Sequence, residues 1–174
     1  DPSCARMLEQ LHHILPLVKQ ETGVDIRFLA AIRRIPLTLV KDDIVSGDYL
    51  TDAVQALKVV CSDPYVVGSD FVGEEISDIA ELRTVIREIV TGIVSREPQW
   101  TIRVHAGEND SLKGNMAKAI DLVEEALLPG QAFPYMRIGH GLYCAKLTSR
   151  QGRELLDKIK NHNIVLEFQL TSNV

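Results

Sequence analysis

His105, Glu108 and His140 are side chains suited to moving protons around a bound water. His105 and Glu108 are separated only by Ala106 and Gly107, and His140 closes the run Arg137-Ile138-Gly139-His140. An imidazole such as His105 is a good zinc ligand. Glu108, three residues on and past a glycine, can reach a group bound beside such a metal. His140 offers a second imidazole to orient or deprotonate a metal-held water. Gly73 and Gly107 would let the backbone approach a planar ligand closely. Together these residues point to metal-assisted hydrolysis. Each also has a plainer reading. A lone His at a strand end is more often structural, and Glu74 and Glu75 read first as helix N-cap or dipole partners.

The elements that must hold these residues alternate along the chain. Helical spacing of apolar residues covers 3–20, 48–61, 75–96, 111–128 and 150–161, with Pro16 weakening the last turn of the first helix. Short apolar runs at Asp25–Ile32, Tyr65–Phe71, Trp100–Ala106, Met136–Gly139 and Ile164–Phe168 predict five strands. Strands separated by crossover helices pair in parallel. Their nearly continuous apolar character fits a sheet covered on both faces or closed into a barrel. In parallel α/β folds functional residues lie at the carboxyl ends of strands. Arg33-Arg34, Asp70 with Gly73, His105 with Glu108, His140, and Glu167 all fall there, so ionisable groups from different strands converge on one rim.

Length and composition set the outer bounds. The 174 residues are enough for one domain, and 45% hydrophobic with 25% charged is ordinary for a globular protein. No apolar stretch approaches the roughly 18 residues of a spanning helix, and no signal peptide is evident, so no membrane partner is expected. A net charge of −5 argues against nucleic acid. Cys4, Cys61 and Cys144 form no C-x-x-C pair, which fits buried free thiols in a reducing cytoplasm.

Four motifs carry a family resemblance. His105-Ala106-Gly107-Glu108 followed by Arg137-Ile138-Gly139-His140-Gly141 resembles the adenosine deaminase family. Asp70-Phe71-Val72-Gly73-Glu74-Glu75 resembles that family's fourth-strand segment, and Glu167 with Thr171-Ser172-Asn173 its seventh-strand segment. The resemblance implies a zinc-dependent (β/α)8 TIM barrel that hydrolyses the 6-amino group of adenosine or a related purine. It implies that His105 is a zinc ligand and that Glu108 protonates the purine ring nitrogen beside the attacked carbon. His140 would deprotonate or orient the zinc-bound water, and the Gly73 N–H would bind another ring nitrogen. A zinc-bound water with its pKa lowered towards 7, and a ring made more electrophilic by protonation, are consistent with that chemistry.

The chain departs from the family in three respects. The family's first strand carries a His-x-His pair of zinc ligands, whereas His12 and His13 here lie side by side in a helix. No eighth-strand Asp pair follows Thr171-Ser172-Asn173. Gln169-Leu170 stands where the family often has Cys-Pro. The expectation is therefore an α/β fold, a partial TIM barrel of five parallel strands alternating with helices, spanning 1–174 as a single domain that matches strands three to seven. One zinc ligand of four is present, so the segment alone should bind zinc weakly and not turn over. Its two outer sheet edges should make it aggregation-prone or partner-dependent.

Plainer readings hold elsewhere. Arg33 is expected to pair with a rim carboxylate such as Asp70, Trp100 to be core or a plug at the bottom of the barrel, and His162 and Glu124-Glu125 to be solvated. Two alternatives to the purine deaminase remain. One is an inactive or truncated relative that keeps the fold and binds purines or partners, and the other is a related metal-dependent hydrolase with a non-purine substrate.

Overall fold

Alternating side chains decide which face of each strand is covered, and β3 displays the rule most clearly. In Thr101–Ala106, Ile102, Val104 and Ala106 are fully buried, while Thr101, Arg103 and His105 on the other face are half-buried. The computed structural model describes residues 2–34 and 49–169. Helices α1 (Pro2–Thr22), α2 (Tyr49–Val60), α3 (Arg83–Ile89), α4 (Asn115–Ala126) and α5 (Arg150–Asn161) alternate with strands β1 (Phe28–Arg33), β2 (Val66–Val72), β3 (Thr101–Ala106), β4 (Tyr135–His140) and β5 (Val165–Glu167).

The five strands form one all-parallel sheet in the order β1-β2-β3-β4-β5. Right-handed crossovers between sequential neighbours keep the connecting helices on one face of a sheet. A doubly wound sheet instead reverses its strand order at a switch point, and no reversal occurs among the described strands. The helix-covered face carries the core. Ile32, Phe71, Ile102, Val104, Met136 and Ile138 pack with Val85, Ile86, Ile89, Met116, Ile120 and Val123. The opposite face carries Asp70, Arg103, His105, Arg137 and Glu167. This corrects the expectation of near-continuous apolar strands: β3 and β4 are apolar on one side only.

The five strands and the helices preceding them lie close to where periodicity puts them, with two instructive differences. Helix α1 continues through Pro16 to Thr22. It tolerates the missing N–H because its apolar face stays anchored, with Leu8 and Leu15 buried before the proline and Val18 half-buried after it. The helix expected over 75–96 is broken. A 3-10 turn at Ile79–Leu82, capped by Asp78 accepting from the Ala80 N–H at 2.9 Å, leads into α3, and a π-helical turn at Val90–Val94 ends it. Ile76, expected on the helix's apolar face, is 49% exposed. The residues before Asp78 are not helical because Glu75 is engaged elsewhere, as described below.

Trp100 is core, 2% exposed, and donates its indole N–H to Ser69 Oγ at 3.3 Å. His162 and Glu124 are not simply solvated. The His162 ring stacks on Phe133 with centroids 3.9 Å apart and bonds Glu124, which also pairs with Lys158. These contacts tie α5 to α4 and to the loop before β4. Cys61 and Cys144 are free thiols, and among the described residues no helix is long and apolar enough to cross a membrane.

Candidate functional site

Parallel register sets the site. Asp70 pairs with Arg103, Arg103 with Arg137, His105 with Gly139, and Gly139 with Glu167. Paired residues on neighbouring parallel strands share a face, so these side chains form two adjoining levels near the carboxyl ends of β2 to β5. At Gly139 an added Cβ would lie 3.3 Å from Arg103 Nη2 and 3.5 Å from His105 Cδ2. The bare backbone there makes room for the histidine and guanidinium beside it.

His140 breaks the alternation. It pairs with Ala106, which faces the helices, yet its Nε2 lies 3.2 Å from His105 Nδ1. The strand ends at this residue in a left-handed conformation, φ 72°, followed by Gly141 at φ 64°. That departure from extended geometry accompanies the turn of the imidazole into the rim. Glu108 completes the cluster, with Oε1 3.7 Å from His140 Nε2. His140 is 5% exposed, and Glu108 is half-buried.

Polar contacts link the two rings to the strands beside them. Arg103 Nη1 lies 2.6 Å from His105 Nε2. A guanidinium only donates, and the same Nε2 also lies 3.5 Å from Asp70 Oδ1, which only a ring N–H can satisfy. Asp70, Arg103, His105 and His140 therefore form one continuous chain of polar contacts.

Arg103 is the hub of the ionic level. Besides His105 it bonds Asp70 Oδ2 at 2.5 Å and Glu167 Oε2 at 2.7 Å, and Arg137 closes on the other oxygen of Glu167. Burial works against ionisation of Asp70, but the adjacent His105 and Arg103 outweigh it and hold the carboxyl below its ordinary value of 3.8. Burial likewise opposes ionisation of Glu167, and Arg103 and Arg137 hold it below 4.5. Burial would lower the Arg103 pKa, yet Glu167 and Asp70 raise it above its ordinary value. Arg103, not Arg33, is therefore the partner of Asp70. Arg33 pairs with Val72, one side-chain level further along the sheet.

The turn after β3 rests on Glu75, which periodicity assigned to a helix start. Its side chain is 2% exposed. Its Oε1 accepts from the Gly107 N–H at 3.1 Å and from Asn115 Nδ2 at 2.9 Å. Its Oε2 accepts from the N–H groups of Glu108 at 2.7 Å and Asn109 at 2.8 Å. Gly107 itself has φ 77°, and a Cβ there would meet Met116 Sδ at 2.9 Å and the Tyr143 carbonyl at 3.0 Å. Arg34, also buried, donates to the carbonyls of His105 and Ser77, both at 3.0 Å. Gly73, φ 108°, sits against Arg34, whose backbone carbonyl would be 3.0 Å from a Cβ. Its N–H has no hydrogen-bond partner among the described residues.

The structure thus brings His105, His140 and Glu108 together and joins Gly73 to them through Arg34. Thr171, Ser172 and Asn173 lie outside the described residues. The described residues alone do not make a zinc site: among them no three His, Cys, Asp or Glu side chains converge to hold a metal, and His105 Nε2 faces a guanidinium. Glu75, which reads in the sequence as a helix N-cap or dipole partner, instead holds the turn after β3, and Asn115 and Arg103 were missed from sequence. An acidic residue two positions past Gly73, and the alternation of Thr101-Ile102-Arg103-Val104-His105, were the available signals. No family model, curated protein or solved structure matches the chain.

Proposed function

We propose that this rim is the proton-transferring part of a hydrolytic purine deaminase, acting on adenosine or a related 6-aminopurine, within a barrel of the (β/α)8 kind. The convergence of His105, His140 and Glu108 at strand carboxyl ends, with 3.7 Å between Glu108 and His140, carries the proposal. The sequential strand order supports the barrel, and the four sequence motifs support the chemistry. In this reading the Gly73 N–H, free to donate, holds one purine ring nitrogen. Glu108 delivers a proton to the ring nitrogen beside the amino-bearing carbon. His140 takes one proton from the attacking water and passes it to the departing amino group, the remaining hydroxyl proton returns to Glu108, and ammonia leaves as that carbon becomes a carbonyl. Zinc ligands beyond His105 are assigned to polypeptide outside the described residues, and Arg103 would have to withdraw from His105 Nε2 for a metal to bind there.

The test is purine turnover by the protein in the presence of zinc, with Glu108→Gln as the control. Loss of a positioned general acid lowers kcat by about 100- to 10,000-fold. Full turnover by Glu108→Gln would remove Glu108 from the role. A second reading, a purine-binding relative without catalysis, is favoured by one observation: the guanidinium on His105 Nε2. Saturable purine binding with no ammonia release, with or without zinc, would select it.

A further inference from the structure

We propose that Glu75 is the positioning residue for Glu108. The N–H groups of Gly107, Glu108 and Asn109 are consecutive and converge on a single carboxylate. Successive backbone N–H groups of this kind form a concavity suited to an anion, and here the protein supplies the anion from the end of β2. All four donors on the Glu75 carboxylate are N–H groups, so the site demands a side chain that only accepts. Glutamine in its place would turn its own amide hydrogens against at least one of them, which leaves buried donors unmatched.

Glu75 is itself held from behind. Asn115 Nδ2 also donates to the Ser77 carbonyl at 3.1 Å, and Asn115 Oδ1 accepts from the Ile79 N–H at 3.2 Å. Asn109 Nδ2 donates to the Glu75 carbonyl at 3.0 Å. The turn, the segment after β2 and the start of α4 are therefore locked together. The shortest of the four bonds runs to the N–H of Glu108 itself. The direction in which Glu108 leaves the backbone, and hence its approach to His140, is set by Glu75.

The hold on Glu108 stands on geometry; its catalytic consequence rests on the deaminase reading above. The experiment compares wild type, Glu75→Gln, Glu75→Asp and the exposed neighbour variant Glu74→Gln. Amide hydrogen exchange at 107–109 and the ring-nitrogen NMR shifts of His140 report the position of Glu108 without any turnover. In Glu75→Gln, exchange at these amides should rise about tenfold or more, and the His140 ring signals should move. Where purine turnover is present, kcat should fall about 100-fold with KM nearly unchanged. Glu75→Asp should recover part of each effect, and Glu74→Gln should show none.

Unchanged exchange and unchanged His140 signals in Glu75→Gln overturn the proposal, as does an unaltered kcat per folded molecule. If Glu75→Gln does not fold, the same readouts on Glu75→Asp decide, with no change in any of them counting against it. Absence of turnover in wild type would sink the deaminase reading alone, because exchange and the His140 signals still judge Glu75.

Discussion

Arg103 is the cation around which the uncovered face of the sheet is organised. Two carboxylates and an imidazole meet its guanidinium, and both carboxyls are held below their ordinary pKa values. A carboxyl whose folded pKa is depressed stabilises the fold above its unfolded value, and that contribution is lost as pH falls through the folded value. The contribution of Asp70 and Glu167 is therefore full at neutral pH and begins to fail in acid, near and below their ordinary values of 3.8 and 4.5. Arg103→Met, which leaves Glu167 with Arg137 alone and Asp70 with His105 alone, should cost about 1–3 kcal/mol at pH 7. The difference from wild type should shrink as both carboxyls protonate. Urea unfolding at pH 7 and pH 3 checks this, and a pH-independent difference would refute it. Arg103 was hard to see in the sequence because its two carboxylates, Asp70 and Glu167, lie far away along the chain. Only register makes them neighbours.

Elements were more legible than the contacts between them. Strand positions followed from apolar runs and helix positions from their spacing, because those signals are local and bury against one core. The placement of His105, Glu108 and His140 near the carboxyl ends of β3 and β4 was legible for the same reason: a strand end is a place that can be read off. The turn after β3 was not. Its shape comes from a carboxylate supplied by another strand end and from Gly107, whose φ of 77° and crowded surroundings exclude a side chain. Gly107→Ala should lose about 1–3 kcal/mol through backbone strain, with further loss as Met116 is displaced. Thermal unfolding of the variant measures the cost, and a Tm equal to wild type would show that the turn accommodates a Cβ. The break in the helix expected over 75–96 has the same origin. Glu75 cannot bond the turn and start a helix together.

The whole molecule presents a sheet with one covered face and, among the described residues, two unpaired edges. At the β1 side a cavity of about 360 Å³ opens between α1, β1 and α2, lined by apolar residues including Leu8, Leu11, Phe28, Ala30 and Leu57. At the β5 side Val165 and Phe168 are more than half exposed. Unpaired edges beside apolar surface favour pairing with another chain. The 174-residue chain in isolation should therefore self-associate with rising concentration and bind a hydrophobic dye in the native state. Sedimentation and dye fluorescence check both, and a dye-silent monomer at high concentration would contradict them.

Strand order also has a bearing on how the chain is made. Because β1 to β5 are neighbours in the order in which they occur, each new strand emerging from a ribosome meets a partner that already exists. Every pairing joins strands that are sequential neighbours, so the entropic cost of each step is small and similar. The sheet can extend by one strand at a time, in step with synthesis. The ionic level around Arg103 cannot. It needs β2, β3 and β5 together, so its carboxylates gain their full complement of partners only when the last strand docks.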